Sequence, residues 1–197
     1  MGRPREFDVD AATARAVQVF WSRGYEGTSV PDLVEATGVQ RGSLYAAYGS
    51  KHALYLAALD RYQQDASVPM TRANEQVLQE GRPVRDALRD LLVGMVDEAA
   101  GDPERRGCLM VNAITERAAC DREVARRGRA ALAGMTEAFA ALLRVAQDRG
   151  ELPEDRDTTA LAHFLVLTVQ GLRVAGVADP DRAHLTAAVD VALTTIR

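Results

Sequence analysis

Apolar residues recur at three- and four-residue spacing along most of the chain, and Gly, Pro and Asp divide that pattern into about nine helical segments. Ala12, Ala16, Val19 and Phe20 share one face of a first helix that Asp8 or Asp10 caps and that runs to about residue 23, with Gly24 as its C′ residue. Thr28 or Ser29 caps a second helix, Pro31 fits its first turn, and Leu33, Val34 and Ala36 point inward. Gly38 ends that helix, because a tight interhelix turn needs a left-handed residue. Val39 plugs the turn, and residues 40–47 form a third helix that Gly49 stops.

Ser50 then caps a long fourth helix, with a break or kink expected at Pro69 and a turn around residues 81–83. Further helical patterns cover 84–100, 108–119, 121–148, 158–177 and 182–196, with a loop at Gly101-Asp102-Pro103. Alternating Val/Ile/Thr/Tyr runs bounded by hairpin dipeptides are not found, so the expected fold class is all-α. Its first three helices have the form of a helix-turn-helix, in which the second helix of the motif enters the DNA major groove.

Composition agrees with this pattern. The chain is 47% apolar but only 5% aromatic, so Ala, Leu and Val, good or tolerable in helices, must fill the core. The net charge of −4 argues weakly against a nucleic-acid partner, but its distribution reverses the argument. Residues 1–51 hold six basic and six acidic groups, so the acidic surplus lies entirely outside the expected reader. The opening MGRPREFDVD has no apolar run and no 18-residue apolar stretch is apparent, so a cytoplasmic protein without a membrane span is expected. The two cysteines, Cys108 and Cys120, and the three histidines stand at no metal-ligand spacing, so no metal and no cofactor are expected. Nucleophile elbow, phosphate-binding loop, HExxH and paired catalytic carboxylates are all missing, which argues against an enzyme. A helical interaction module without DNA remains the other alternative, and salt-dependent duplex binding discriminates it.

The third helix carries the DNA chemistry. Leu44 anchors it, leaving Gln40, Arg41, Gly42, Ser43, Tyr45, Ala46 and Tyr48 for the groove. Arg41 can read guanine bidentately and Gln40 adenine, while the small Gly42 and Ala46 allow close approach of the backbone. Thr28, Tyr45, Tyr48 and Lys51 are expected on phosphates, which set register rather than sequence. The competing reading makes the tyrosines core aromatics and Lys51 a solvated charge. Arg3 and Arg5 form a basic arm suited to the minor groove, or else a plain terminal tail.

The segment with Phe20, Gly24-Tyr25, Thr28-Ser29, Asp32-Leu33, Gly38-Val39, Gly42-Ser43-Leu44-Tyr45, Tyr48 and Lys51 resembles the DNA-binding domain of the TetR/AcrR family of transcriptional regulators. That family often has His or Tyr where Ala47 stands and Phe where Tyr48 stands. The resemblance implies an N-terminal helix-turn-helix domain at residues 1–51 and a C-terminal ligand-binding and dimerisation domain at 52–197. It further implies a homodimer that represses at a palindromic double-stranded DNA operator and leaves it on meeting a small-molecule effector.

Outside the reader, Met95, Cys108, Met110, Asn112, Met135, Phe139, His163, Phe164 and Thr168 are candidates to line a ligand pocket, with plain core packing as the competing reading for each. Gly-Cys-Leu-Met around Cys108 also resembles the start of the sixth helix in a family branch whose members sense electrophiles or oxidants through a cysteine. Arg105 and Arg106 and a helix N-terminus would favour its thiolate, whereas a buried inert thiol is the alternative. The last two helices carry two apolar stripes. Leu161, Leu165, Leu172, Leu185, Val189 and Leu193 are the expected dimer interface, because the family forms a four-helix interface from these elements.

Overall fold

The computed structural model describes residues 7–196, so Arg3 and Arg5 lie outside the described residues. Among those described, nine α-helices and one short 3₁₀ turn form the fold: α1 (Val9–Arg23), α2 (Val30–Thr37), α3 (Arg41–Tyr48), α4 (Lys51–Glu80), α5 (Val84–Gly101), α6 (Leu109–Arg117), α7 (Arg122–Asp148), α8 (Thr158–Ala178) and α9 (Arg182–Ala192). The capping signals explain most boundaries. Asp8, Ser29, Ser50, Asp121, Asp157 and Asp181 each accept from backbone N–H groups of the first turn they precede. Ser29 and Asp32 form a reciprocal capping box, and the hydrogen bonds from Ser29 hold the Asp32 carboxyl below its usual range. Gly38 takes the left-handed backbone (φ 69°) that the sharp α2–α3 turn requires.

Pro69 neither breaks nor ends α4, which runs through it to Glu80. The expected interruption is overruled because Ala73 and Val77, beyond the proline, are buried in the same core as Leu88 and Leu92 of α5. Packing of the second half of α4 outweighs the one backbone hydrogen bond that proline forfeits.

Two cores meet along α4. The first gathers Ala12, Ala16 and Phe20 of α1, Leu33, Val39 and Leu44 of the α2–α3 unit, and Leu54, Tyr55, Ala58 and Leu59 of α4. It also takes in Cys108, Leu109, Met110 and Ala113 from the start of α6, so the expected boundary at residue 51 cuts through shared packing. The second core joins the C-terminal half of α4 with α5, α7, α8 and α9. Phe139, Leu142, Leu143, Leu165, Val169, Val189 and Leu193 are among its fully enclosed members.

Five of the six expected interface residues therefore face inward. Leu165, Leu172, Leu185, Val189 and Leu193 are buried within one chain, and Leu161 packs half-buried against the same core. The other stripe stays outside: Phe164, Leu167 and Val174 on α8 and Val191 on α9 are exposed, Leu167 at 70% and Val191 at 68%. α8 holds an 18-residue window long and apolar enough to cross a membrane by length and composition, which corrects the expectation that no such stretch exists. Only 33% of that window is buried, so the apolarity serves two faces, one of them without a partner in the single chain.

Candidate DNA-reading face and effector cavity

The α2–α3 turn decides what α3 presents. Leu44 is 5% exposed and pins the helix to the first core, so Gln40, Arg41, Gly42, Ala46 and Ala47 turn outward together. Gln40 precedes α3 without using its side chain as a cap, which leaves the amide free. A Cβ built on Gly42 would meet nothing within 4 Å, so the surface there is open. The Arg41 guanidinium lies 5.4 Å from the Tyr45 ring centre, and Ser43 and Tyr45 are half-buried at the flank. Ala47, seen in the sequence only as a departure from the family pattern, shares this outward face.

Three of the expected phosphate ligands are committed elsewhere. Thr28 is 1% exposed and donates its hydroxyl hydrogen to the Gly24 carbonyl at 2.6 Å. Lys51 donates from Nζ to the carbonyls of Tyr25 (2.8 Å) and Thr28 (2.7 Å), with the ammonium 4.1 Å from the Tyr25 ring centre. Tyr48 donates to the Val9 carbonyl at 2.9 Å and pairs with the Thr13 hydroxyl at 2.8 Å. These groups fasten α3 and the start of α4 to α1 and its turn. Where phosphate contacts are expected, the structure gives Thr28 and Lys51 internal partners in the α1–α2 connection, the Gly24 carbonyl for Thr28 and the Tyr25 and Thr28 carbonyls for Lys51.

A second set of contacts joins the reader to α6. Glu116 accepts from the amides of Tyr25 (3.0 Å) and Glu26 (2.9 Å), Arg117 pairs with Glu26, and the Arg117 guanidinium lies 4.5 Å from the Tyr25 ring centre. His52 Nε2 sits 2.7 Å from Asp121 at the α6–α7 corner. Burial alone would raise the Asp121 carboxyl, but the His52 contact and the amides of Val124 and Glu123 outweigh it and hold the group below its usual range.

A cavity of about 640 Å³ lies between α1, α4, α5, the α5–α6 loop and α8. Trp21, Tyr62, Met95, Cys108 and Val177 supply apolar wall, and Arg106 and Arg173 supply charge. Trp21 and Tyr62 meet edge to face with ring centres 5.1 Å apart, and Trp21 donates its indole N–H to the Gly107 carbonyl at 3.0 Å. Arg106 covers the Trp21 ring at 4.4 Å and bonds Gln18 of α1 and Asp102. Gly107 has φ 64°, and a Cβ there would meet Val177 at 2.6 Å, so this loop is wedged between α1 and α8. Burial, and the Cys108 thiol beside it, push the Tyr62 phenol up, so it remains a neutral donor.

Of the expected pocket residues only Met95 and Cys108 line this cavity. Met110 and Phe139 are enclosed in the first and second core, and Met135 packs against the second with its sulfur 3.7 Å from Gln170 Nε2. Asn112 spends its amide on the Arg106 carbonyl at 2.8 Å, bracing the loop from behind. Phe164 and His163 are exposed on the outer face of α8, and Thr168 bonds the Phe164 carbonyl. The rest of the lining was missed because Trp21, Tyr62, Arg106 and Arg173 stand on separate elements, with no local pattern to connect them. The Gly-Cys start of α6 was the one usable signal.

Comparison with known proteins covers both regions. Residues 12–58 match the family described as bacterial regulatory proteins, tetR family, and residues 84–192 match the tetracyclin repressor-like C-terminal domain. The HTH-type transcriptional repressor ComR of Escherichia coli is 34% identical over 196 residues, covering 100% of this chain and 90% of that protein. The HTH-type transcriptional regulator YezE of Bacillus subtilis is 35% identical over 198 residues, covering all of both chains. Among solved structures, a cysteine-substituted form of the regulator CifR, complexed with 26 bp double-strand operator DNA, is 35% identical with a TM-score of 0.82 over 100% of both chains.

Proposed function

The chain belongs to the TetR family and is a DNA-binding transcriptional regulator, and from that premise we propose that it is a homodimeric repressor released from a palindromic operator when a small molecule enters the cavity between α1, α4, α5 and α8. The supporting observation is the shared wall. Gln18 and Trp21 of α1 line the same cavity as the 102–108 loop and Cys108 at the start of α6. An occupant that shifts Arg106 or Gly107 acts directly on Trp21, and α1 carries the Thr13 and Val9 groups that hold Tyr48 of α3. Two recognition helices in a dimer must meet half-sites ~34–36 Å apart, so a displacement of a few Å is enough to disengage one of them.

Specificity is assigned to the outward face of α3. Arg41→Ala is expected to cost ~1–3 kcal/mol of operator binding and to relax preference at one position in each half-site. Binding titrations against an operator and its single-base variants check this. Unchanged affinity and preference would remove Arg41 from the list of readers.

A second reading, covalent sensing at Cys108, is favoured only by the position of the thiol on the cavity wall. Its exposure of 4% and its place in the first core suit a wall residue of a reversible site better. Cys108→Ser is therefore expected to retain operator release by reversible ligands. Release by a soft electrophile such as N-ethylmaleimide that vanishes in the Ser variant, with a matching adduct on Cys108 by mass spectrometry, reverses that preference.

A further inference from the structure

Resting on the reading of this cavity as the effector site, we infer that its ligand is a small organic acid, one ring or a short chain in size, whose carboxylate is held by Arg173 while its apolar body lies against Trp21, Tyr62, Met95 and Val177.

The charges around the cavity carry the argument. Four carboxylates line it: Asp65, Asp97, Glu98 and Asp102. Three of them are already paired, Asp65 with Arg61, Asp97 with Arg182 and Asp102 with Arg106. Glu98 is on the exposed rim. Of the three lining arginines, Arg106 is stacked on Trp21 and bonded to Asp102 and Gln18. Arg105 lies exposed on the loop. Arg173 is half-buried, and among the described residues no carboxylate lies within 4.0 Å of it. It is also the only charged residue in α8, a helix otherwise built of apolar, small and neutral side chains. A half-buried guanidinium on an apolar helix without an internal carboxylate has a planar fork of donors to fill.

The remaining polar group of the enclosed wall has the same sign of demand. Burial and the neighbouring Cys108 thiol push the Tyr62 phenol up, so it adds no negative charge to the wall. Arg173 and Tyr62 line the same cavity, and the charges of Arg173 and of the rim carboxylate Glu98 are felt at that phenol in opposite senses. Donors at one end and Trp21, Met95 and Val177 around the body describe an amphipathic acid rather than a cation or a polyol. A cavity of about 640 Å³ is in the range that encloses a small organic ligand.

Trp21 is the single tryptophan of the chain and stands in the wall, so its fluorescence reports occupancy without reference to DNA. The experiment titrates the full-length protein with benzoate, hexanoate, their primary amides and benzylamine, following Trp21 emission and operator affinity in parallel. The acids are expected to bind about 10- to 100-fold more tightly than the amides, the value of a charge-assisted bidentate contact. Arg173→Gln should abolish that preference and leave amide binding unchanged, and Arg173→Lys should restore part of it. Benzylamine or the amides binding as tightly as the acids, benzoate binding undiminished in Arg173→Gln, or a Trp21 signal silent to every acid overturns the assignment. An acid that binds through Arg173 without changing operator affinity keeps this site and overturns the effector reading. Operator release by the neutral amides alone does the reverse.

Discussion

Leu167→Glu is expected to give a folded monomer that has lost its operator. Leu167 is 70% exposed in the single chain, so the substituted carboxylate meets water there and the core of α5, α7, α8 and α9 is untouched. In a dimer formed through the outer faces of α8 and α9, the same carboxylate and its symmetry mate would be carried into a desolvated apolar contact. Operator affinity should fall on the order of 10²–10⁴-fold, because the second half-site is then no longer bound as an intramolecular event. Leu165→Glu supplies the contrast. Leu165 is fully enclosed, so its substitution should unfold the chain by several kcal/mol rather than dissociate it. Light scattering and circular dichroism separate the two outcomes. A Leu167→Glu protein that remains dimeric at micromolar concentration overturns the interface.

That pair of residues also shows how far the sequence could be read. The periodicity of the 158–177 segment located α8, and its double apolar stripe is present in the structure as one buried face and one exposed face. It could not say which stripe faces which neighbour, because both carry aliphatic side chains at helical spacing. The stripe richer in Leu was assigned to the partner, whereas the intramolecular core took it; Gly171 and Val174 remained outside with Leu167. Helix boundaries were legible because caps are local chemistry: Ser29 and Ser50 signal in four residues what the backbone then does. The cavity was illegible for the opposite reason. Its walls come from residues 18 to 177, and nothing in the local pattern distinguishes Trp21 or Tyr62 from ordinary core. Pro69 failed as a stop signal since tertiary burial of Ala73 and Val77 overrode a local preference.

Lys51→Ala is expected to cost stability and to leave the salt dependence of operator binding unchanged. In sequence, a lysine just past the third helix reads as a phosphate ligand, and removing such a contact should lower the salt slope by about one per contacted phosphate. In the structure its ammonium is already surrounded by the carbonyls of Tyr25 and Thr28 and the face of the Tyr25 ring. The alanine variant leaves the Thr28 carbonyl without a donor, leaves the Tyr25 carbonyl with only the Thr28 N–H, and removes the cation from the ring. A loss of roughly 2–4 kcal/mol follows from two charge-assisted hydrogen bonds and a half-buried cation–π contact. The loosened α1–α2 turn would also free Tyr25, against which Arg117 packs, so the reader and α6 should come apart more easily on heating. Denaturant unfolding of the wild type and variant measures the first effect. Operator affinity across a series of salt concentrations measures the second. A parallel displacement of the two salt plots, without change of slope, is the result for an internal clamp; a slope reduced by about one, with stability intact, would return Lys51 to the DNA backbone.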